Sequence, residues 1–381
     1  MNKTFLVLAY STLFSFGLID NARGPAYPEI LASFDLSPNQ GAPVFWLATL
    51  AGLVVNLASK WWLARWGAVF STKLSLLFMA VGIFLMGHSV NLGSPVFWLY
   101  LGSVIFGMGS SFSGVSMNIL VSEGTTHEVR GRAFAGLHST YGIASLCSPL
   151  LLAYFLKHIP YWNKFFMLLS IVPIIIFGLS FFLSKKELFP REKGTLKPPI
   201  KLNKRMLYGF LFGFYVASEI AISSRLPLYF ENIVGWSPST AKQGLSLFFL
   251  SLTLGRISFT FIKTGEKRIY FLLGSLLGTI VLFFIGYYYW PWALALTGLS
   301  MSMFFPVGMD WLAQRFERGR EFMMASVLTY IALSLIFMHV VFGWINANLG
   351  AREAILIVPV LSLISLVLLL SLKKARESIT S

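Results

Sequence analysis

The chain has a single cysteine, Cys147, which excludes an internal disulfide. Charge is scarce too: only 12% of the 381 residues are Asp, Glu, Lys or Arg, about half the share in an ordinary soluble domain. Carboxylates are the rarest part of it, with 15 Asp and Glu against 30 Lys and Arg. The 5 histidines are scattered and offer, with the one cysteine, no zinc-type spacing. No Gly-x-x-x-x-Gly-Lys-Ser/Thr loop is present to cradle a nucleotide, so ATP-driven transport by this chain has no support. No nucleophile motif marks a hydrolase. Together these absences argue against an enzyme, a metal site and a resident cofactor.

Apolar surface is what the sequence has in excess. Hydrophobic residues make up 56% of the chain and the mean hydropathy is +0.73, more than a soluble fold of this size can hide from water. A membrane-spanning helix takes roughly 20 mostly apolar residues. Twelve such runs lie near 5–32, 43–64, 69–90, 95–122, 131–157, 162–184, 205–234, 241–262, 268–288, 290–316, 321–348 and 351–372. They lack the period-2 alternation of barrel strands. The first carries Asp20 and Arg23 and lacks a small-residue cleavage site, unlike a signal peptide. The expected architecture is an all-α membrane protein of twelve transmembrane helices.

The formal charge of +15 could point to nucleic acid, but its distribution points to topology. With the N-terminus inside, 23 of the 30 Lys and Arg fall in cytoplasmic segments, as the positive-inside rule requires. Outer loops hold only Lys157, Lys164, Lys242 and Arg352, and Arg23, Arg225 and Arg256 fall inside apolar runs. Both termini are therefore expected in the cytoplasm, in a bacterial inner membrane, with lipid and a small molecule as partners and no nucleic acid. Residues 1–184 form one six-helix half and residues 205–381 the other. Residues 185–204, with Pro190, Pro198 and Pro199, read as a basic cytoplasmic linker.

The halves repeat one another. Residues 23–29 read Arg-Gly-Pro-Ala-Tyr-Pro-Glu and residues 225–231 read Arg-Leu-Pro-Leu-Tyr-Phe-Glu, sharing Arg-x-Pro-x-Tyr-x-Glu at an offset of 202. Beyond them, Ser37-Pro38 matches Ser237-Pro238, Gln40-Gly41 matches Gln243-Gly244, and Lys60 matches Lys263. Arg130-Gly131-Arg132 recurs as Arg318-Gly319-Arg320, and Thr140-Tyr141 as Thr329-Tyr330. A parallel repeat of six helices resembles the major facilitator transporters, which bind substrate near the bilayer midplane and expose it to each side in turn.

Within that superfamily the sequence resembles the fucose- and glucose-type sugar:proton symporters. Tyr215-Val-Ala-Ser-Glu219 followed by Leu226-Pro227-Leu228-Tyr229 is similar to that branch's helix 7, and Asn118, Arg130-Gly131-Arg132 and Tyr141-Gly142 are similar to its helices 4 and 5. The resemblance implies proton-coupled sugar symport by a functional monomer, driven by the proton gradient. Three features depart from the pattern. In the superfamily's Gly-x-x-x-Asp-Arg-x-Gly loop, Lys60 and Ala64 replace the first Gly and the Asp, leaving Arg65 and Gly67. Ser113-Gly114-Val115 stands where some relatives carry a helix-4 Glu, and Arg225 stands where the branch often has an aromatic residue.

Ionisable residues inside apolar runs are costly and mark cavities or partners. Asp20 and Arg23, three apart, share a helix face, so protonating Asp20 would release Arg23 for substrate or gate. A permanent buried pair is the alternative. Asp20 and Glu219 lack counterparts in the repeat, where Ile222 and Gly17 stand instead. Asp20, Asn21, Arg23, Tyr27, Asn118, His138, Tyr141, Glu219, Arg225, Tyr229 and Tyr330 are the candidate substrate and coupling residues. Amide, phenol and imidazole groups suit sugar hydroxyls. Glu29 and Glu231, near the outer ends, are candidates for an outer gate or a brace within each half. Glu123, Arg130, Arg132, Asp310, Arg315 and Arg318 form a candidate inner gate, or static helix-end salt bridges. The rival functions are an organic-anion carrier or exchanger using Arg23 and Arg225, and a drug or metabolite exporter.

Overall fold

Asn2 starts the first helix by accepting hydrogen bonds from the backbone of Thr4 (3.1 Å) and Phe5 (3.4 Å), satisfying donors that no helical turn precedes. The computed structural model describes residues 2–36, 38–41, 43–183, 200–317 and 319–380. Most of the expected linker and Arg318 of the expected inner gate lie outside them. Every regular element among the described residues is helical. By residue contact the chain divides into two compact units, Met1–Thr126 with Thr140–Lys197, and His127–Ser139 with Pro198–Ser381.

The first unit contains α1 (Lys3–Arg23), α2 (Tyr27–Phe34), α3 (Pro38–Gly41), α4 (Pro43–Leu57), α5 (Ser59–His88), α6 (Pro95–Gly124), most of α7 (His127–His158), α8 (Trp162–Leu169) and α9 (Ile171–Leu183). The span expected at 5–32 is broken into α1 and α2 at Gly24 and Pro25: Gly24 keeps helical angles (φ −63°, ψ −56°), but Pro25 brings no N–H to continue the hydrogen-bond ladder. The next two expected spans run almost without a loop. α4 stops at Leu57, and α5 absorbs the loop residues around Arg65, bending at Gly67 (φ 76°). That conformation is open to glycine and strained for other residues. α6 is the hub, packing against α1, α4 and α5.

The second unit contains α10 (Leu202–Asn232), α11 (Pro238–Phe259), α12 (Arg268–Tyr288), α13 (Trp292–Met301), α14 (Phe304–Arg315), α15 (Arg320–Asn348), α16 (Ala351–Ala354) and α17 (Ile357–Thr380). Ser237 caps α11 by accepting from the Thr240 N–H at 3.2 Å, with Pro238 in the first turn, where its missing donor costs nothing. α10 is the hub here and packs on α11, α15 and α17.

Ten described spans are long and apolar enough to cross a membrane, and α4 is an eleventh, shorter one. The twelfth expected span is α11, 22 residues long and less apolar because it carries Arg256. Large apolar side chains also stand on the outside of the helices, among them Trp46, Phe182, Tyr288 and Trp344. Such exposure suits lipid, not water.

Candidate functional site

In the first unit the polar groups of α1 converge on α7. Arg23 pairs with Asp20 one turn earlier on its own helix. The Tyr141 hydroxyl donates to the other Asp20 oxygen at 3.2 Å. Asn21 donates to Ser145 Oγ at 2.9 Å and lies 3.3 Å from the Tyr141 hydroxyl. Arg23 is otherwise held by the Val44 carbonyl at 3.3 Å and by the Phe106 ring, 4.5 Å away. The Arg23 side chain is 9% exposed and that of Asp20 is 27% exposed, so the base is the more deeply buried of the two.

Two other candidates of this unit lie apart from that network. Asn118 is buried in α6 and donates to its own helix at Gly114 O, 2.6 Å away. Its Oδ1 has no hydrogen-bond partner among the described residues. Tyr27 packs edge-on against Phe45, 5.1 Å between ring centres. Glu29 is exposed in the first turn of α2, and Glu123 is half-buried near the end of α6.

In the second unit a similar set is built from different positions. Glu219 of α10 receives Arg256 of α11, with Nη2 3.0 Å from Oε1. Its second oxygen lies 2.7 Å from the Tyr215 hydroxyl, one turn earlier. That hydroxyl also lies 2.5 Å from the carbonyl of Met301. This carbonyl is left open because α13 ends there and α14 starts at Phe304. With one proton, Tyr215 donates to one acceptor at a time. His138 is buried with its edge against Phe305 (4.8 Å, 84°), and its Nε2 has no hydrogen-bond partner among the described residues.

The arginine that the repeat matches to Arg23 behaves differently. Arg225 makes no ion pair among the described residues; it lies over the Phe342 ring at 4.8 Å. Tyr229 is buried beside Phe230 and Tyr287, and Tyr330 packs on Phe210, 4.8 Å between centres. Both therefore have an aromatic packing role. Glu231 is half-buried near the end of α10.

Near the loop before α12, Asp310 is fully buried and accepts from Arg268 Nε at 2.5 Å and from Gln314 at 2.9 and 3.0 Å. A side chain on Gly131 would meet its carboxylate, the Cβ falling 3.1 Å from Oδ2. That close approach explains why the start of α7 groups with this unit. A cavity of about 360 Å³ opens beside them, lined by His127, Glu128, Arg132, Lys263 and Arg268 with Asp310. Arg130 is buried on α7, while Arg315 is exposed and hydrogen-bonds Tyr208. Among the described residues, the ion-pair partner of Asp310 is thus Arg268 of α12.

Sequence reasoning singled out neither Arg256 nor Arg268 as site residues. Arg256 was visible as one of three arginines inside apolar runs, but its acid is 37 residues away and has no counterpart in the repeat. Arg268 counted only as a loop cation.

Helices long and apolar enough to cross a bilayer, with ion pairs buried among them, define an integral membrane protein. The chain belongs to the Major Facilitator Superfamily, whose sequence profile matches residues 9–285 and 207–380. Members of this superfamily bind small-molecule substrates within the membrane, and the chain is a transport protein, not an enzyme. It is 23% identical over 324 residues to protein TsgA of Salmonella typhimurium (strain LT2), a match covering 80% of this chain and 79% of TsgA. Its fold is similar to FucP, the E. coli fucose:proton symporter. The outward-conformation FucP structure superposes with TM-score 0.80 at 14% identity, over 96% of this chain and 98% of that one. The proton:xylose symporter XylE follows at TM-score 0.75 and 12% identity, over 97% and 96%.

Proposed function

We propose that the chain is a proton-coupled symporter for a sugar or similar small polar metabolite, working by alternating access in a bacterial inner membrane. Both termini face the cytoplasm, halves 1–184 and 205–381 rock about the linker 185–204, and the monomer in its lipid is the working unit. The proton gradient is the energy source, with no other cofactor.

The observation that carries this reading is the Asp20–Arg23–Tyr141 network. Asp20 is the shared acceptor of Arg23 and of the Tyr141 hydroxyl. Taking up a proton breaks its pair with Arg23 and releases the Tyr141 hydroxyl, so proton binding and the state of the cavity become linked. Glu219 with Arg256 and Tyr215 supplies a second such set. Asn21, Asn118 and His138 offer hydrogen bonds for a polar substrate. Glu29 and Glu231 serve the outer gate, and Glu123, Arg130, Arg132, Asp310, Arg315 and Arg318 serve the inner gate.

The fucose and xylose symporters are in keeping with this reading through their shared fold, while the low identities leave substrate open. The test is uptake of labelled hexoses and sugar acids by cells expressing the chain, with and without a protonophore. Loss of accumulation on collapsing the gradient is expected, and accumulation indifferent to it removes the coupling.

A further inference from the structure

Three arginines, Arg23, Arg225 and Arg256, fall inside the apolar runs, with Asp20 and Glu219 as their candidate carboxylate partners. Asp20 is taken by Arg23 and Glu219 by Arg256. The repeat copies Arg23 as Arg225 but not its acid, since Ile222 occupies the position three residues before Arg225 and is fully buried. Arg225 therefore makes no ion pair among the described residues, and its Nε is buried without a hydrogen-bond partner. Its guanidinium rests on Phe342 of α15, 4.8 Å from the ring centre.

An unpaired cation at membrane depth is costly, and one aromatic face offsets only part of that cost. We propose that Arg225, resting on Phe342, seats an anionic group of the substrate, a carboxylate or a phosphate. Of the small polar metabolites proposed above, the substrate is then an acidic one, such as a sugar acid or a sugar phosphate. This rests on the transporter reading above and names its substrate class. A guanidinium offers two parallel N–H donors to two oxygens of such a group, and Phe342 fixes the plane in which they point. Arg23 is not a second arm of the same clamp, because Asp20 and the Val44 carbonyl already hold it. With an anion bound, all three arginines are compensated.

The experiment uses the purified full chain in detergent at fixed ionic strength, titrated with gluconate, inorganic phosphate and glucose while thermal unfolding and heats of binding are read. Gluconate or phosphate is expected to stabilise the wild type where glucose does not, and the responding anion tells carboxylate from phosphate. Arg225→Gln is expected to weaken that binding about ten- to a hundredfold, the loss of one charge-assisted contact. Should Arg225→Gln fail to fold, Arg225→Lys makes the same comparison, keeping the charge but losing the fork. Equal anion binding by wild type and variant overturns the proposal, as does glucose binding alone or the absence of any anion response. Binding in detergent needs no gradient, so a failure of proton coupling leaves this result intact. Conversely, gradient-driven uptake of a neutral sugar would survive the loss of the anion site.

Discussion

Arg256 on α11 places its Nη2 3.0 Å from Oε1 of Glu219 on α10, joining two helices of one unit through a pair whose side chains are 5% and 14% exposed. A buried pair of this kind adds little net stability over an apolar pair, yet losing one member strands the other charge. Arg256→Gln and Glu219→Gln are each expected to cost about 3–5 kcal/mol, and Arg256→Gln with Glu219→Gln together less than the two added. Thermal unfolding of the four proteins in one detergent closes the cycle.

Tyr215→Phe deletes the hydroxyl between Glu219 and the Met301 carbonyl and leaves that carbonyl without its donor. The expected loss is about 1–3 kcal/mol for a buried polar group left unpaired. A melting temperature equal to the wild type's would show that the hydroxyl is not the bond holding α10 to the end of α13.

Asp20→Asn fixes the acid in a neutral form and frees Arg23 from its pair. Exchange of substrate across proteoliposomes without a gradient is expected to continue, while accumulation driven by a gradient is lost. Equal loss of both would make Asp20 a structural residue.

Gly67 is held at φ 76° inside α5, so Gly67→Ala is expected to cost about 1–3 kcal/mol through backbone strain. Gly131→Val is expected to act by another route, pushing on the Asp310 carboxylate and slowing transport. Its readout is a lowered turnover with substrate affinity retained.

The helices were legible because each apolar run is long enough to span a bilayer and is punctuated by proline, glycine or charge, as at Gly24-Pro25. The Asp20–Arg23 pair was legible because three residues on one helix fix their separation. Pairings across helices were not. Asp310 was grouped with Glu123 and the arginines at 130, 132, 315 and 318, and the packing of α12 against α14 adds Arg268 as its ion-pair partner. Arg225 looked equivalent to Arg23 by repeat symmetry, and only the packing separates them: Arg23 pairs with Asp20, while Arg225 makes no ion pair among the described residues and rests on Phe342. The bend at Gly67 replaced an expected loop, because a glycine with positive φ turns the chain without leaving the helix for long.

The most direct test is proton movement itself. Proteoliposomes with a pH-sensitive dye inside are offered hexoses, sugar acids and phosphorylated metabolites one at a time, with no imposed gradient. Lumenal acidification is expected with a compound the protein transports inward, and none with Asp20→Asn. Uptake of that compound at constant lumenal pH would contradict proton-coupled symport.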